Sequence, residues 1–310
     1  KEGKLCLAKY LNNNGKKKLF RITSKTGIRI DATNEQNFYV LNENGFIVSK
    51  KLKDLKVGDI LLSRVGDKFA NDKQLITPDE AYLLGIFYSL RTLENPEEDY
   101  IKIKVSYTIK DKIKEILLNK FDVVEENEEI SILNSKISID VFKENFEYMN
   151  DYISGKVLSS NLNIQLEFLR GFFDVNTLFN NNRIEKEIFN KRLFFEILLL
   201  LKNLGIIAEI IDNKLIIRGK EIANFYNLIS FYNWEYDSLV TSFSISEEDF
   251  YVIPNIQNIV KAYYDSIEEK NKKIELNEDF QFNRDNILKI LEMKGNKELK
   301  DLIKALVNEN

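Results

Sequence analysis

Ala81-Tyr82-Leu83-Leu84-Gly85-Ile86-Phe87-Tyr88-Ser89-Leu90-Arg91-Thr92 and Glu167-Phe168-Leu169-Arg170-Gly171-Phe172-Phe173-Asp174-Val175-Asn176-Thr177-Leu178 are one pattern written twice. Each surrounds a single central Gly with apolar residues, and the two glycines stand 86 positions apart. Apolar side chains all round a helix predict burial on every side. A Gly at its centre lets a second backbone come close. The first stretch is preceded by Thr77-Pro78-Asp79-Glu80, with Thr77 as N-cap, Pro78 at N1 and Glu80 completing a capping box. Taken singly, either stretch reads as an ordinary core helix. Two copies heading the same downstream pattern read as an internal repeat.

That downstream pattern is helix, hairpin, helix. In the first copy it runs through a helix at about 109–120, strands at 123–125 and 130–133, and a helix at about 138–149. In the second it runs through a helix at about 186–204, strands at 207–211 and 215–217 joined by Asp212-Asn213, and a helix at about 221–230. Antiparallel hairpins between helices predict an α+β fold. Residues 1–65 read as a small all-β module, with turn signals at Ser24-Lys25-Thr26-Gly27 and Asn42-Glu43-Asn44-Gly45. Residues 66–76 read as a linker, 77–160 as the first repeat, 161–250 as the second and 251–310 as a helical tail. Tail helices are expected at about 255–269, at 287–291 ahead of Gly295, and at about 297–307. The last two have the outline of a helix-turn-helix, a shape shared with ordinary αα-hairpins.

Composition narrows the chemistry. The 310 residues contain no His, one Cys and a formal net charge of −4. Without His there is no Ser-His-Asp triad, no Cys-His pair and no His-bearing zinc site. The lone Cys6 forms no internal disulfide and fits a reducing, cytoplasmic setting. The longest apolar run, Leu193 to Leu201, is interrupted by Glu196 and is too short for a membrane span. The first residue is Lys1 rather than Met, which reads as a fragment or processed product.

The paired stretches resemble the dodecapeptide motifs of the LAGLIDADG homing endonucleases. The resemblance implies two helices crossing at Gly85 and Gly171 about a pseudo-two-fold axis, in a monomer that acts on double-stranded DNA. It also implies an acid at the end of each helix holding Mg2+, which activates water. Aligned on the glycines, those acids fall on Leu90 and Asn176, with Asp174 as a remnant acid two residues earlier. No intact catalytic residue, no metal site and no cofactor are therefore expected, and the implied Mg2+ site is expected to be lost. Gly27 to Val40 resembles the second conserved block of inteins, with Thr33 at the Thr position and Gln36 at the His position. Gln lacks the acid–base chemistry of imidazole. Leu55 to Leu61, Leu215 to Ile222 and Val252-Ile253-Pro254 continue the resemblance, which spans roughly 16–254.

The expectation is thus a Hint-like β module, two αββα repeats of a LAGLIDADG-like domain and a helical tail, with cleavage and splicing lost. The implied partners are duplex DNA, weakly bound, and a host protein carrying the chain as an insertion. Candidate DNA contacts are Lys102, Lys104, Lys186, Arg192, Lys214 and Arg218, with Lys110, Lys112 and Lys114 nearby. The acidic stretches Glu94–Asp99 and Glu125–Glu129 weigh against them. Two other readings are a non-catalytic DNA-binding regulator and a structural insertion domain.

Overall fold

The computed structural model describes residues 12–13, 15–42, 46–68, 70–90, 100–104, 106–126, 129–133, 135–147, 151–180, 182–188, 190–243, 256–276, 282 and 284–308. Lys1, Cys6, residues 43–45, Arg91, Glu94–Asp99 and Val252-Ile253-Pro254 lie outside them. The chain divides into two compact units. One takes in 25–28 and 67–245, so both repeats fall within it. The other takes in 6–24, 29–66 and 246–310.

The larger unit opens with α1 (Pro78–Leu90). Its capping box is complete: Glu80 N–H donates to Thr77 Oγ1 at 3.2 Å, and Thr77 N–H donates to Glu80 Oε2 at 2.8 Å. Every residue from Ala81 to Tyr88 is buried. The matching helix, α5 (Leu162–Phe173), is capped by Asn161, whose Oδ1 accepts from Ile164 N–H at 3.2 Å.

Each of these helices heads a similar run of elements. After α1 come β6 (Tyr100–Lys104), α2 (Tyr107–Leu118), β7 (Val123–Glu126), β8 (Glu129–Leu133), α3 (Ser135–Phe146) and the single-turn α4 (Gly155–Leu158). After α5 come β9 (Thr177–Phe179), β10 (Arg183–Glu187), α6 (Lys191–Asn203), β11 (Glu209–Ile211), β12 (Lys214–Arg218) and α7 (Lys220–Leu228). Both sheets are antiparallel, in the orders β6-β8-β7 and β11-β12-β10-β9. β6 and β10 hold equivalent places, each pairing over five residues with the second strand of the following hairpin. Asp212 and Asn213 turn the second hairpin with φ of 48° and 62°, as a two-residue hairpin turn requires.

Two expectations are corrected here. Each repeat carries strand between its leading helix and the next one, β6 between α1 and α2 and β9–β10 between α5 and α6, so αββα is incomplete. The helix expected from 186 begins at Lys191, because 183–187 form β10, an inner strand of its sheet that buries Ile184, Glu185 and Lys186. A further helix, α8 (Trp234–Thr241), follows α7 and is capped by Asn233.

One apolar cluster runs through both repeats. Aromatic edges stitch it together: Phe87 on Phe142 at 5.3 Å, Tyr88 on Phe168 at 5.6 Å and Phe173 on Phe225 at 4.9 Å.

In the other unit, β1 (Phe20–Thr23) pairs with β2 (Arg29–Ala32). β3 (Asn37–Leu41) pairs with β4 (Ile47–Lys51) and with β5 (Ile60–Leu61). Its helices are α9 (Ile256–Asp265), α10 (Arg284–Leu291) and α11 (Lys297–Asn308), which share a small core of their own.

Candidate functional site

α1 and α5 cross at their glycines, and the contact is reciprocal. A Cβ on Gly85 would lie 2.1 Å from the Phe168 carbonyl oxygen, and one on Gly171 would lie 2.0 Å from that of Tyr82. Phe168 stands three residues before Gly171, as Tyr82 does before Gly85. Exchanging the helices exchanges the contacts, which is the signature of a local two-fold.

Among the described residues, the helix ends carry no acid pair. Leu90 is the last residue of α1 and packs against the apolar cluster. α5 ends at Phe173 with Asp174 as its C-cap, and Asn176 is exposed with φ of 52°. That left-handed conformation suits Asn and turns the chain into β9.

Asp174 is buried and fully engaged. Tyr82 Oη donates to its Oδ2 at 2.8 Å, Tyr232 N–H to its Oδ1 at 3.1 Å and Asn233 N–H to its Oδ1 at 3.2 Å. Burial pushes its carboxyl up to about 6, against the pull of those donors. Burial likewise pushes the Tyr82 phenol up, with Asp174 adding to it. Asn233 Oδ1 also accepts from Thr108 Oγ1 at 2.8 Å, which ties α2 to the same knot. Tyr232 completes it: Arg170 and Lys112 sit over its ring at 4.6 and 4.3 Å. Asp174 therefore organises the 232–233 loop; its side chain is not presented to a ligand.

Lys186 occupies the ground between the helix ends. The expectation of a phosphate contact at Lys186 is corrected, because its side chain points from β10 into the core and is 1% exposed. Its Nζ donates to Ser89 Oγ at 2.5 Å and to the Val175 carbonyl oxygen, and lies 5.0 Å from the Phe172 ring centre. Ser89 and Val175 each stand one residue before an aligned acid position, Leu90 and Asn176. Burial pushes the amine well below its usual range, and Asp174 pulls the other way. A divalent cation needs anionic oxygens with free lone pairs. Leu90 offers none, the Asp174 oxygens are taken, and an amine fills the gap. The residues present do not fit Mg2+. Among the described residues no group of three or more acidic, His or Cys side chains converges on one point.

The remaining basic candidates lie outside the core, and most are paired. Lys214 Nζ meets Glu185 at 3.0 Å across β10–β12, and Arg218 meets Glu209 at 2.9 Å across β11–β12. Arg192 on α6 meets Glu196 at 3.4 Å and stacks over Tyr152. Lys110 and Lys114 share Glu125, which they hold down to about 2. Lys104 is exposed on β6 opposite Glu129. Lys102 lies two residues before it on the same strand, and its side chain falls outside the described residues.

In the β module, Thr33 and Gln36 close one turn, Gln36 N–H donating to the Thr33 carbonyl at 3.0 Å. The Gln36 side chain is exposed, and its Nε2 donates to the Asn37 carbonyl at 3.4 Å.

No family model and no curated protein matches this chain. Among solved structures it is similar to mesophilic variants of the homing endonuclease I-DmoI, at 19% identity over 51% of this chain and 91% of that one, with a TM-score of 0.37. It is also similar to I-DmoI in complex with DNA and Ca, at 18% identity over 50% and 91% with a TM-score of 0.36. The complex of I-DmoI with DNA and Mn stands at 17% identity over 49% and 96%, with a TM-score of 0.34. Among the described residues no helix is long and apolar enough to cross a membrane.

Proposed function

We propose that this chain is a non-cleaving, double-stranded-DNA-binding protein, built on a LAGLIDADG-type core and descended from an intein-encoded homing endonuclease. The observation that carries the reading is the junction of α1 and α5, where Leu90 and Asn176 stand in place of two metal-binding acids, Asp174 is saturated and the buried Lys186 amine bridges Ser89 and Val175. The crossing that would bring such acids together persists in the reciprocal glycines. DNA contact falls to the strands, through Lys102, Lys104, Lys214 and Arg218, as phosphate contacts with little sequence information. The β module is read as a Hint remnant without splicing, because Gln36 supplies no acid–base group. A host protein, a monomeric state and a place inside the cell belong to the same proposal.

A second reading, a structural insertion domain, is favoured by the carboxylates of Glu185 and Glu209 on the cations of the second sheet. Gel shifts on random duplex at low salt separate the two. Binding in the 10⁻⁴–10⁻⁶ M range of non-specific contacts supports the first. Undetectable binding at tens of micromolar protein supports the second.

A further inference from the structure

Outside the larger unit, the tail carries a cluster of lysines that form no ion pair among the described residues. Lys289 lies in the last turn of α10, Lys294 in the connection, and Lys297, Lys300 and Lys304 along α11. None of these five ammonium groups has an ion pair or hydrogen bond with another described residue. The spacing 297, 300, 304 puts three of them on one face of α11. The opposite side, Leu299, Leu302 and Ile303, packs into the tail core. Lys300 and Lys304 are like charges four residues apart, which weakens a helix standing alone.

The carboxylates of the same stretch are Asp285, Glu292, Glu298 and Asp301, four against six cations once Arg284 is counted, and Asp301 stands four residues after Lys297 and three before Lys304 on α11. The other carboxylates of the tail, Asp265, Glu268, Glu269, Glu275, Glu278, Asp279 and Glu309, lie outside that stretch of sequence. Two of these are paired locally, Glu268 with Lys270 and Glu269 with Lys272. The stretch 284–308 therefore carries a net charge of +2, six cations against four carboxylates.

The platform is firmly held. Tyr263 Oη donates to the Met293 carbonyl at 2.5 Å, and Asn296 N–H donates to Ser266 Oγ at 2.8 Å. Asn296 Oδ1 caps α11 through Leu299 N–H at 3.0 Å. A Cβ on Gly295 would fall 2.8 Å from the Tyr263 ring, so the connection lies tight on α9.

We infer that the α11 stripe, with Lys289 and Lys294, is a phosphate-backbone docking surface for duplex nucleic acid, separate from the core and standing whether or not the core binds. Charge complementarity selects a polyanion. From 297 to 304 the stripe runs about 10 Å at 1.5 Å per residue, the length of duplex axis over which one strand carries roughly three phosphates. A bilayer surface fits less well, because an interfacial helix must lay its apolar face into lipid, and that face of α11 is already buried in the tail core.

The test uses the full chain and a K297Q/K300Q/K304Q variant whose fold is checked by its thermal transition. Binding to a random 20-base-pair duplex is followed by fluorescence anisotropy against salt. Loss of about eightfold in affinity per lysine at 0.1 M salt, with the log–log salt slope shallower by about 0.9 for each, is expected. The corresponding triple Lys→Arg variant is expected to bind like the parent. Unchanged affinity and slope in the Gln variant overturn the inference, as does a parent chain that binds vesicles containing phosphatidylserine, or polyglutamate, but no duplex. A K104Q/R218Q variant separates this inference from the proposal for the core. If it binds as the parent does while the tail variant fails, the core reading falls and the tail surface stands.

Discussion

Gly85 and Gly171 are each other's counterpart: each lies where a Cβ would enter the backbone of the opposite helix, at 2.1 and 2.0 Å from a carbonyl oxygen. Backbone cannot swing aside as a flexible side chain does, so a methyl at either position forces α1 and α5 apart.

Gly171→Ala is expected to cost about 3 kcal/mol or more, above the usual range for overpacking, and Gly85→Ala about as much. Once the helices have separated for one methyl, the second enters at reduced cost. The double variant should therefore fall short of the sum of the singles. Urea unfolding of the three variants checks this, and an additive double would speak against a shared crossing.

Lys186→Met removes a buried amine and keeps a similar volume. Ser89 Oγ already donates to the Val175 carbonyl at 3.2 Å, so neither oxygen loses its partner. The variant is expected to match the parent or exceed it by about 1 kcal/mol at pH 7. The amine titrates lower in the folded state than in the unfolded chain, so the unfolded chain binds more protons. Parent stability should then rise relative to the variant as pH climbs toward about 10.4. Thermal unfolding of both proteins between pH 7 and 10 measures this gap, and a gap that widens with pH in the variant's favour would refute it.

Asp174 works in the opposite sense. Its folded pKa, about 6, lies above the ordinary carboxyl range. The folded state holds the proton more tightly, so its contribution is present below about pH 4 and is lost as pH rises through 6. Two pH units correspond to about 3 kcal/mol. Relative to Asp174→Asn, the parent should gain up to that order on going from pH 7 to pH 4. Calorimetric scans of the pair across that range check it, and parallel profiles would show that Asp174 titrates normally.

The crossing helices were legible because two local signals agreed, the apolar run around Gly and the cap at Thr77. The hairpin at Asp212-Asn213 was legible for the same reason. Lys186 was not. A Lys between Glu185 and Glu187 reads as surface, and only the pairing of β10 with β9 and β12 turns it inward. Nor was the environment of Asp174, since its donors Tyr232 and Asn233 lie nearly sixty residues away and its phenol donor ninety-two. The cations of the second sheet were visible in the sequence. Their neutralising partners were not, because Glu185 and Glu209 reach Lys214 and Arg218 across strands.

That neutralisation gives a prediction with an unusual sign. Glu185→Gln with Glu209→Gln keeps hydrogen-bonding groups beside Lys214 and Arg218 while freeing both charges. If the second sheet meets phosphates, duplex affinity should increase by about eightfold per freed cation at 0.1 M salt, and the salt slope should steepen by about 0.9 for each. Anisotropy titrations at several salt concentrations read both quantities. Weaker or unchanged binding would remove this sheet from the DNA interface.

The most direct test is to hold the chain at stoichiometric excess on supercoiled plasmid and linear duplex, with Mg2+ or Mn2+, and to follow shift and strand breakage together. The expected result is a salt-sensitive shift with every strand intact, since Leu90 and Asn176 stand where, on the proposed alignment, two carboxylates would be needed, and the Lys186 amine lies beside them. Nicking or double-strand cleavage abolished by EDTA would contradict the account.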